Sequence, residues 1–239
     1  MQDERGYPMA QRTTYIILII VLSLCLLLPA FSNAGVSEEA KVQASTAVVK
    51  EIMEIPESAI PPSLLRSAHG IAIFPDLLKA GFILGGRYGC GVLLVRNEDG
   101  TWSNPVFFRL IGGSIGWQIG AQSTDVILVL KSIRSLDAIS GGKFTLGVDA
   151  SIAAGPVGRQ AEAATDVLLT AEILSYSRSR GLFLGLSLEG AAIQVDYGST
   201  AAFYNVPGLL PTDILKNRNM MAPASAAELR RVLDWYSKQ

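Results

Sequence analysis

The chain has 239 residues, of which 49% are hydrophobic and only 17% are charged, and its mean hydropathy is +0.35. Soluble domains carry about a quarter charged residues, so the apolar surplus needs an explanation. The length provides for one or two domains of about 100–200 residues and for a sizeable core. Twenty lysines and arginines balance 21 aspartates and glutamates, which excludes a strongly basic nucleic-acid-binding chain and a highly charged disordered one.

The N-terminus has the layout of an export signal. Arg5 and Arg12 precede an apolar run from Tyr15 to Phe31, and the small residues Ser32 and Ala34 follow it. This order predicts a signal peptide over residues 1–34 that is cut after Ala34. The mature protein, residues 35–239, is then a single exported domain that is periplasmic, associated with the outer membrane, or secreted.

Two alternatives to cleavage stay open. A retained membrane anchor is one, although a spanning helix needs about 20 apolar residues and this run is shorter and contains Pro29. Lipoprotein processing at Cys25 is the other, although the large Leu24 stands where a small residue is normal. If cleavage follows Ala34, Cys90 is the only cysteine left and no internal disulfide can form. Its place in an apolar run between two glycines predicts a small core residue.

Helical patterns stand at both ends of the mature chain. In residues 37–54, apolar side chains recur at spacings of three and four, which predicts an amphipathic helix that ends at Pro56. The apolar face of this helix is predicted to consist of Ala40, Ala44, Ala47, Val48, Ile52 and Ile55. Near the C-terminus, Ser225 and Glu228 match a capping box at the start of a second helix. Its buried face is predicted to consist of Leu229, Val232, Leu233 and Tyr236.

Between these helices the sequence changes to short apolar runs that are typical of β-strands. They are residues 71–74, 82–84, 92–95, 106–108, 126–130, 144–148 and 182–188. Glycines punctuate nearly all of them and, in a strand interior, mark bulges, sharp bends or close backbone approaches. Asp99-Gly100 predicts a hairpin turn. No helical pattern alternates regularly with the strands, so we predict an α+β fold: a strongly curled or closed, mostly antiparallel sheet flanked by N- and C-terminal helices.

Few side chains suit catalysis or metal binding. His69 is the only histidine, and its position before Gly70 indicates a turn residue satisfied by backbone. We therefore predict no metal and no cofactor. Gly112 to Gly116 matches the G-x-S-x-G pattern around Ser114, but a nucleophile elbow needs a strand, a turn and a helix, with its histidine after the serine. The sequence also lacks a phosphate-binding loop, so neither a nucleotide ligand nor a catalytic activity is predicted.

Two short stretches carry clustered positive charge. Arg178 and Arg180 flank Ser179, and Arg159 ends the stretch that begins at Gly155. Each stretch could hold an anionic head group through charge-assisted hydrogen bonds or backbone N–H groups. The alternative is that these arginines pair on the surface with nearby acidic residues, namely Glu162, Asp166 or Glu172.

Six stretches, taken in order over roughly residues 40–205, resemble the SYLF domain family, which is also catalogued as an actin-binding domain after its yeast members. They are Ala68-His69-Gly70-Ile71-Ala72-Ile73-Phe74-Pro75, Gly89-Cys90-Gly91-Val92-Leu93, Gly100-Thr101-Trp102-Ser103-Asn104-Pro105, Gly116-Trp117-Gln118-Ile119-Gly120, Asp149-Ala150-Ser151-Ile152-Ala153-Ala154-Gly155-Pro156-Val157-Gly158-Arg159 and Tyr176-Ser177-Arg178-Ser179-Arg180-Gly181-Leu182-Phe183. The resemblance implies lipid binding without catalysis, because eukaryotic members engage phosphoinositide membranes and some bind actin. An exported protein would meet no actin filaments, which leaves the lipid role.

Two functions follow as hypotheses. The first is a phospholipid-binding module of the cell envelope, which would place the apolar residues Val48 and Ile52 in the head-group boundary of an anionic membrane. Its candidate lipid-binding residues are Lys41, Lys50, Arg159, Arg178 and Arg180. The second is a structural or protein-interaction domain of the envelope, in which helix 37–54 packs on the sheet and the surface pairs with a protein partner. No nucleic-acid partner is expected.

Overall fold

The computed structural model describes residues 38–56, 59–157, 170–179, 182–183, 188–216 and 220–239, with the backbone alone over 81–84, 114–120, 137–138, 140 and 182–183. The predicted signal peptide, Arg159 and Arg180 lie outside the described residues. In chain order the described elements are α1 (Glu38–Met53), α2 (Pro62–Ser67), β1 (Gly70–Val95), β2 (Val106–Leu130), α3 (Ile133–Ser140), β3 (Lys143–Thr145), β4 (Ile152–Ala154), β5 (Ile173–Ser179), β6 (Leu182–Phe183), β7 (Ala192–Val195), α4 (Tyr197–Tyr204), α5 (Pro211–Lys216) and α6 (Ala224–Lys238).

Two long antiparallel strands, β1 and β2, form the centre of the sheet. Their pairing runs from Leu93 opposite Val106 out to Gly70 opposite Leu130. The sequence predicted five short strands over the same residues. The interruptions are instead shifts of register within continuous strands, between Phe74 and Leu77 and between Gly81 and Ile83. Such irregularities bend a strand without ending it.

The first half of β1 folds back over its own second half. A Cβ placed on Gly91 would lie 2.1 Å from the carbonyl oxygen of Ile73, and one placed on Gly89 would lie 2.7 Å from Leu77 Cδ1. Only a residue without a side chain tolerates this approach at Gly91, because the neighbouring atoms belong to the backbone. The glycine pattern therefore marks a real close contact here, and the strongly curled sheet is confirmed.

The remaining strands complete a mostly antiparallel sheet with the order β3-β7-β2-β5-β4, in which β1 pairs with β2 and β6 with β5. Only the pair of β4 and β5 is parallel among the described strands. Strand β5 was missed in the sequence analysis, where residues 175–181 were interpreted as a basic stretch. With helices at both ends, the predicted α+β class is confirmed.

Helix α1 packs on the sheet through a face that differs from the predicted one. Its buried residues are Val42, Ser45, Thr46, Val48, Val49 and Ile52, whereas Ala47 and Ile55 are exposed. The hydroxyls of Ser45 and Thr46 donate to backbone carbonyls four residues earlier, so these polar side chains enter the core without an unsatisfied group. Because Val48 and Ile52 are core residues, the predicted insertion of these two side chains into a membrane does not occur in this conformation.

Helix α6 buries Leu229, Val232 and Leu233, as predicted, but the predicted capping box is wrong. The helix begins at Ala224, with Pro223 at the N-cap and no side-chain cap. Ser225 therefore lies inside the first turn, and its buried hydroxyl has no hydrogen-bond partner. Glu228 is used by a lysine of α1 instead.

Several loop predictions can be compared with the described backbone. Gly100 has a φ of +80° and its N–H donates to Asn97, which confirms the hairpin turn between β1 and β2. The backbone N–H of His69 donates to Leu130, and its carbonyl accepts from Arg96, as expected of a satisfied turn residue. Cys90 is not a core residue: it is half-buried, with its Sγ 3.3 Å from the hydroxyl of Tyr88.

The G-x-S-x-G stretch lies within strand β2. Ser114 pairs with Gly85 and Gly116 pairs with Ile83, so strand continues on both sides of the serine. A nucleophile elbow is therefore excluded by the backbone, as predicted. In the part of the chain that is described, no helix combines the length and apolarity needed to cross a membrane.

Candidate functional site at the α1–α6 face

Arg178, a predicted lipid-binding residue, is engaged in a structural ion pair. It lies on β5 with its side chain only 16% exposed, and it contacts the carboxylates of Glu51 on α1 and Asp125 on β2, the latter at 3.6 Å. The sequence analysis expected other acidic partners. Of those, Glu172 accepts from Ser132 Oγ instead, and residues 162 and 166 lie outside the described part.

Asp125 depends on this arginine, because burial raises its pKa and so disfavours its charged form. The carboxylate also accepts a hydrogen bond from the backbone N–H of Asp76. Arg178 therefore holds α1 against the sheet at a place where carboxylates from two elements converge.

Lys50 and Lys41 lie on α1, and both are half-buried. The ammonium of Lys50 lies 3.0 Å from Glu228 on α6, and Glu228 also pairs with Arg231 one turn further along. This network joins the two terminal helices and leaves the cationic groups at the surface, where the Arg231 side chain is 77% exposed. Lys50 thus joins α1 to α6, whereas Arg178 joins α1 to the sheet.

An exposed tryptophan stands beside this network. Trp235 lies one turn after Arg231 on α6 and is 65% exposed, which is unusual for the largest apolar side chain. A groove of about 400 Å³ separates it from α1. The residues that line this groove are Lys50, Glu54, Arg231, Val232, Trp235 and Tyr236. We call this surface the α1–α6 face.

Sequence reasoning missed Trp235, although a signal existed. The predicted inward positions of the C-terminal helix, Leu229, Val232, Leu233 and Tyr236, leave Arg231, Trp235 and Lys238 on its outer side, at spacings of four and three. Two cations that bracket an outward tryptophan form a pattern typical of an interfacial helix. The pattern is apparent only once a buried face is assigned to the helix, because it consists of the residues that lie outside that face.

A larger cavity of about 530 Å³, which we call the cavity behind α6, lies between that helix, α5 and the β1–β2 turn and shares Arg231 and Trp235 with the groove. Its lining residues are Asn97, Asp99, Thr101, Trp102, Ser103, Asn104, Ile214, Leu215, Ala227, Arg230, Arg231, Asp234, Trp235 and Lys238. Next to it, the guanidinium of Arg96 stacks 4.1 Å from the ring of Trp102 and donates to the carbonyls of Leu65, Ala68 and Gly100. A further bond from Arg96 to the hydroxyl of Ser237 joins the turn and Trp102 to the terminal helix.

A third polar cluster lies at the start of α4. Asp196 caps the helix by accepting from the N–H of Ser199 and forms a bidentate pair with Arg109, with both N–O distances 2.7 Å. Burial alone would raise the pKa of Asp196, but the bonds from Arg109 and Ser199 outweigh it and hold the pKa below its ordinary value. This geometry satisfies every acceptor of a structural cap, so the cluster is part of the scaffold.

The described residues contain no group of three or more histidine, cysteine, aspartate or glutamate side chains arranged to hold a metal ion. The features that present chemistry to the outside are therefore the cationic and aromatic side chains of the α1–α6 face and the cavity behind α6. Both suit recognition of a partner by contact and charge.

Comparison with known proteins agrees with the resemblance seen in the sequence. Residues 111–236 match the family model Ysc84, described as Las17-binding protein actin regulator. Protein YSC84 of Saccharomyces cerevisiae is 39% identical over 181 residues, which cover 74% of this chain and 38% of that protein. SH3 domain-containing protein PJ696.02 of Schizosaccharomyces pombe is also 39% identical, over 74% of this chain and 41% of its own length.

A vertebrate relative extends the match. SH3 domain-containing YSC84-like protein 1 of Bos taurus is 33% identical over 212 residues, which cover 86% of this chain and 61% of that protein. The chain thus spans less than two thirds of each of these relatives. Since the family model matches more than half of the chain and ends within α6, this protein belongs to the Ysc84, or SYLF, actin-binding domain family.

Proposed function

We propose that this protein is a non-catalytic phospholipid-binding module of the cell envelope that docks on anionic membrane surfaces through the α1–α6 face. The observation that carries the proposal is the exposed Trp235 with Arg231 and Lys238 on either side along α6. Tryptophan prefers the membrane–water interface, because its ring is apolar and its indole N–H is polar. Long basic side chains reach past such a ring toward lipid phosphates.

The proposal keeps the basic residues predicted on α1 and moves the apolar contact to α6. Val48 and Ile52 are buried under the helix, whereas Trp235 needs no rearrangement to reach a surface. Each lysine or arginine near an anionic surface contributes about 1 kcal/mol. Glu54 and Glu228 offset part of this attraction, and the formal net charge is −1, so docking rests on local charge and stays modest in affinity.

The proposed location is outside the cytoplasm. Residues 1–34 have the order of a cleavable signal peptide, and the mature chain would begin at Gly35. The measurement is the intact mass of the protein purified from its native host. A mass that begins at Gly35 supports export, whereas a mass that includes Met1 and the apolar run contradicts cleavage.

The lipid proposal is tested by flotation of the mature protein with vesicles of phosphatidylglycerol and phosphatidylethanolamine, and with vesicles of phosphatidylcholine alone. Trp235→Ala should lower partitioning onto the anionic vesicles about tenfold, which corresponds to ~1.4 kcal/mol for partial loss of a buried aromatic group. Lys238→Glu changes the local charge by two. It should weaken the binding free energy on the anionic vesicles by about 2 kcal/mol and should have little effect on binding to phosphatidylcholine vesicles.

Two control variants match these changes on another part of the surface. Lys143→Glu reverses an exposed charge on β3, and Val148→Ala shortens a side chain that is 76% exposed. Both should float like the unchanged protein. Equal losses in controls and test variants, or failure of the native protein to float with either vesicle, would refute docking through the α1–α6 face.

The second candidate function is a protein-interaction domain of the envelope. The family model is described as an actin regulator that binds Las17, which favours a protein partner for this chain as well. A direct test is cosedimentation with purified actin filaments at physiological salt. If the protein pellets with actin filaments and Trp235→Ala does not, this function is favoured over lipid docking. If the protein stays out of the pellet but floats with vesicles, lipid binding is favoured.

A further inference from the structure

Three of the residues that line the larger cavity behind α6 each have a buried polar atom without a hydrogen-bond partner. These atoms are Trp102 Nε1, Asn104 Oδ1 and Arg230 Nε, which account for half of the six such side-chain atoms in the described part of the chain. Trp102 is 1% exposed and Asn104 is 3% exposed. Native proteins keep few unpaired buried polar groups, because each has given up its bonds to water without replacement.

The orientation of the Asn104 amide is fixed by a second contact. Its Nδ2 donates to the carbonyl of Met220 at 3.0 Å, so Oδ1 is the atom left as a free acceptor. The lining residues therefore hold two unused donors, the indole N–H of Trp102 and the Nε–H of Arg230, and one unused acceptor just beneath the cavity surface. A ligand that satisfies all three must itself carry both an acceptor and a donor.

The charged side chains at the cavity favour an anionic ligand. Neither Arg230 nor Lys238 has an ion-pair partner among the described residues, whereas Arg231 pairs with Glu228, a carboxylate that it shares with Lys50. Of the two acidic lining residues, Asp99 already accepts from the backbone N–H and the hydroxyl of Thr101, and Asp234 interacts electrostatically with Arg96 beside the cavity. Unpaired positive charge therefore remains on the side of the cavity formed by α6.

We propose that this cavity binds a short acidic peptide segment of a partner protein. A peptide carbonyl would accept from the Trp102 indole, a peptide N–H would donate to Asn104 Oδ1, and acidic side chains would meet Arg230 and Lys238. The apolar wall formed by Ile214 receives a nonpolar side chain of the same segment. A backbone amide offers the acceptor and the donor together, which a simple anion does not.

Binding requires a small movement of one lining side chain. The three unpaired atoms have essentially no area open to solvent, and Arg230 is a long, half-buried side chain that borders the same cavity. Its displacement toward the peptide would open the cavity floor. The cavity shares Arg231 and Trp235 with the α1–α6 groove, so the test of this proposal uses Trp102 and Arg230, which do not line that groove.

The probe is an acetylated, fluorescein-labelled hexapeptide that alternates glutamate and leucine, and its binding to the mature protein is followed by fluorescence anisotropy. We expect saturable binding that weakens with added salt. Trp102→Phe removes the indole N–H and keeps a ring beneath Arg96, and it should weaken binding about three- to tenfold. Arg230→Met keeps the length of the side chain without its charge and should weaken binding at least tenfold.

The matched control is Arg134→Met, which removes an exposed arginine on α3, outside the cavity, and should bind the peptide normally. All variants are first compared by thermal melting, and if Trp102→Phe fails to fold, Arg230→Met carries the test alone.

Equal binding of the same peptide with lysine in place of glutamate, or no binding of the acidic peptide at millimolar concentration, overturns the proposal. Binding of free glutamate or inorganic phosphate with the same affinity and the same sensitivity to Arg230→Met overturns the assignment to a peptide. Unchanged vesicle flotation in both cavity variants is the expected result.

Discussion

Replacement of Arg178 by methionine should weaken the fold and leave lipid binding intact. The change leaves the carboxylates of Asp125 and Glu51 without their shared partner. Loss of one member of a buried ion pair costs about 3–5 kcal/mol, and an exposed pair contributes about 0–1 kcal/mol. Asp125 is 19% exposed and Glu51 is 48% exposed, so we place the loss between these limits, at about 2 kcal/mol. For a domain of this size, that lowers the melting temperature by about 4–8 °C.

The assay combines urea denaturation at pH 7 with the vesicle flotation described above. The stability loss should shrink as the pH falls through the pKa of Asp125, which burial holds above its ordinary value, because a protonated carboxyl needs no cationic partner. Arg134→Met, at an exposed position on α3, should change stability by less than about 0.5 kcal/mol. If Arg178→Met melts like the unchanged protein but no longer floats with anionic vesicles, Arg178 is a lipid ligand and the structural interpretation is wrong.

Two further predictions concern the curled sheet and its polar cap. Gly91→Ala should destabilise the fold by about 3 kcal/mol, because the new Cβ overlaps the carbonyl of Ile73, whereas Gly113→Ala, with no atom within 4 Å of its Cβ, should be neutral or stabilising by about 0.5–1 kcal/mol. Chemical denaturation compares the two, and equal stabilities would refute the backbone contact. Asp196→Asn keeps a capping side chain but loses the charged bond to Arg109, and it should cost about 1–2 kcal/mol at pH 7. Because the folded pKa of Asp196 is depressed, the advantage of the unchanged protein is present above the unfolded pKa and disappears as the pH falls through the folded pKa; a difference that persists below pH 2 would contradict this explanation.

Much of the architecture follows from the sequence by local rules. The inward positions Leu229, Val232 and Leu233 of α6, the hairpin turn at Gly100 and the curled, mainly antiparallel sheet were predictable, because side-chain periodicity and glycine placement record them directly. Tyr236, which was also predicted to be buried, is only half-buried. The strand ends were not predictable. Short apolar runs separated by glycine look like separate strands, since nothing local shows that the polar and glycine residues between them continue to pair with a neighbour.

Errors of another kind arose where polar residues entered the core. Ser45 and Thr46 can face inward on α1 because their hydroxyls bond to carbonyls of their own helix. The face predicted from the apolar residues alone therefore differs from the face that is buried. Strand β5 was missed for a related reason. Its serines and arginines indicated a polar surface stretch, whereas Ser177 and Ser179 are buried within the strand.

Most contacts in the candidate sites could not be predicted from the sequence. The outward position of Trp235 could be read from helix periodicity, but the partners of Arg178 and the unpaired atoms of Trp102 and Asn104 depend on contacts between elements far apart in the chain. The spacing of residues within one helix or strand shows which face each side chain lies on, but it does not show which distant element packs against that face. Of the basic residues predicted as lipid ligands, Lys50 belongs to a surface network and Arg178 to a largely buried ion pair, whereas Arg159 and Arg180 lie outside the described residues.

The long pairing of β1 with β2 also determines how this fold can be reached. We expect the two strands to meet first beside the turn at Gly100, where few residues separate the partners, and to extend their pairing from Leu93 opposite Val106 toward Gly70 opposite Leu130. A ladder that closes outward from one turn avoids the large entropy loss of joining distant segments at once. The fold-back of Ile73 onto Gly91 can form only after much of this ladder exists, so variants at Gly91 should speed unfolding more than they slow folding.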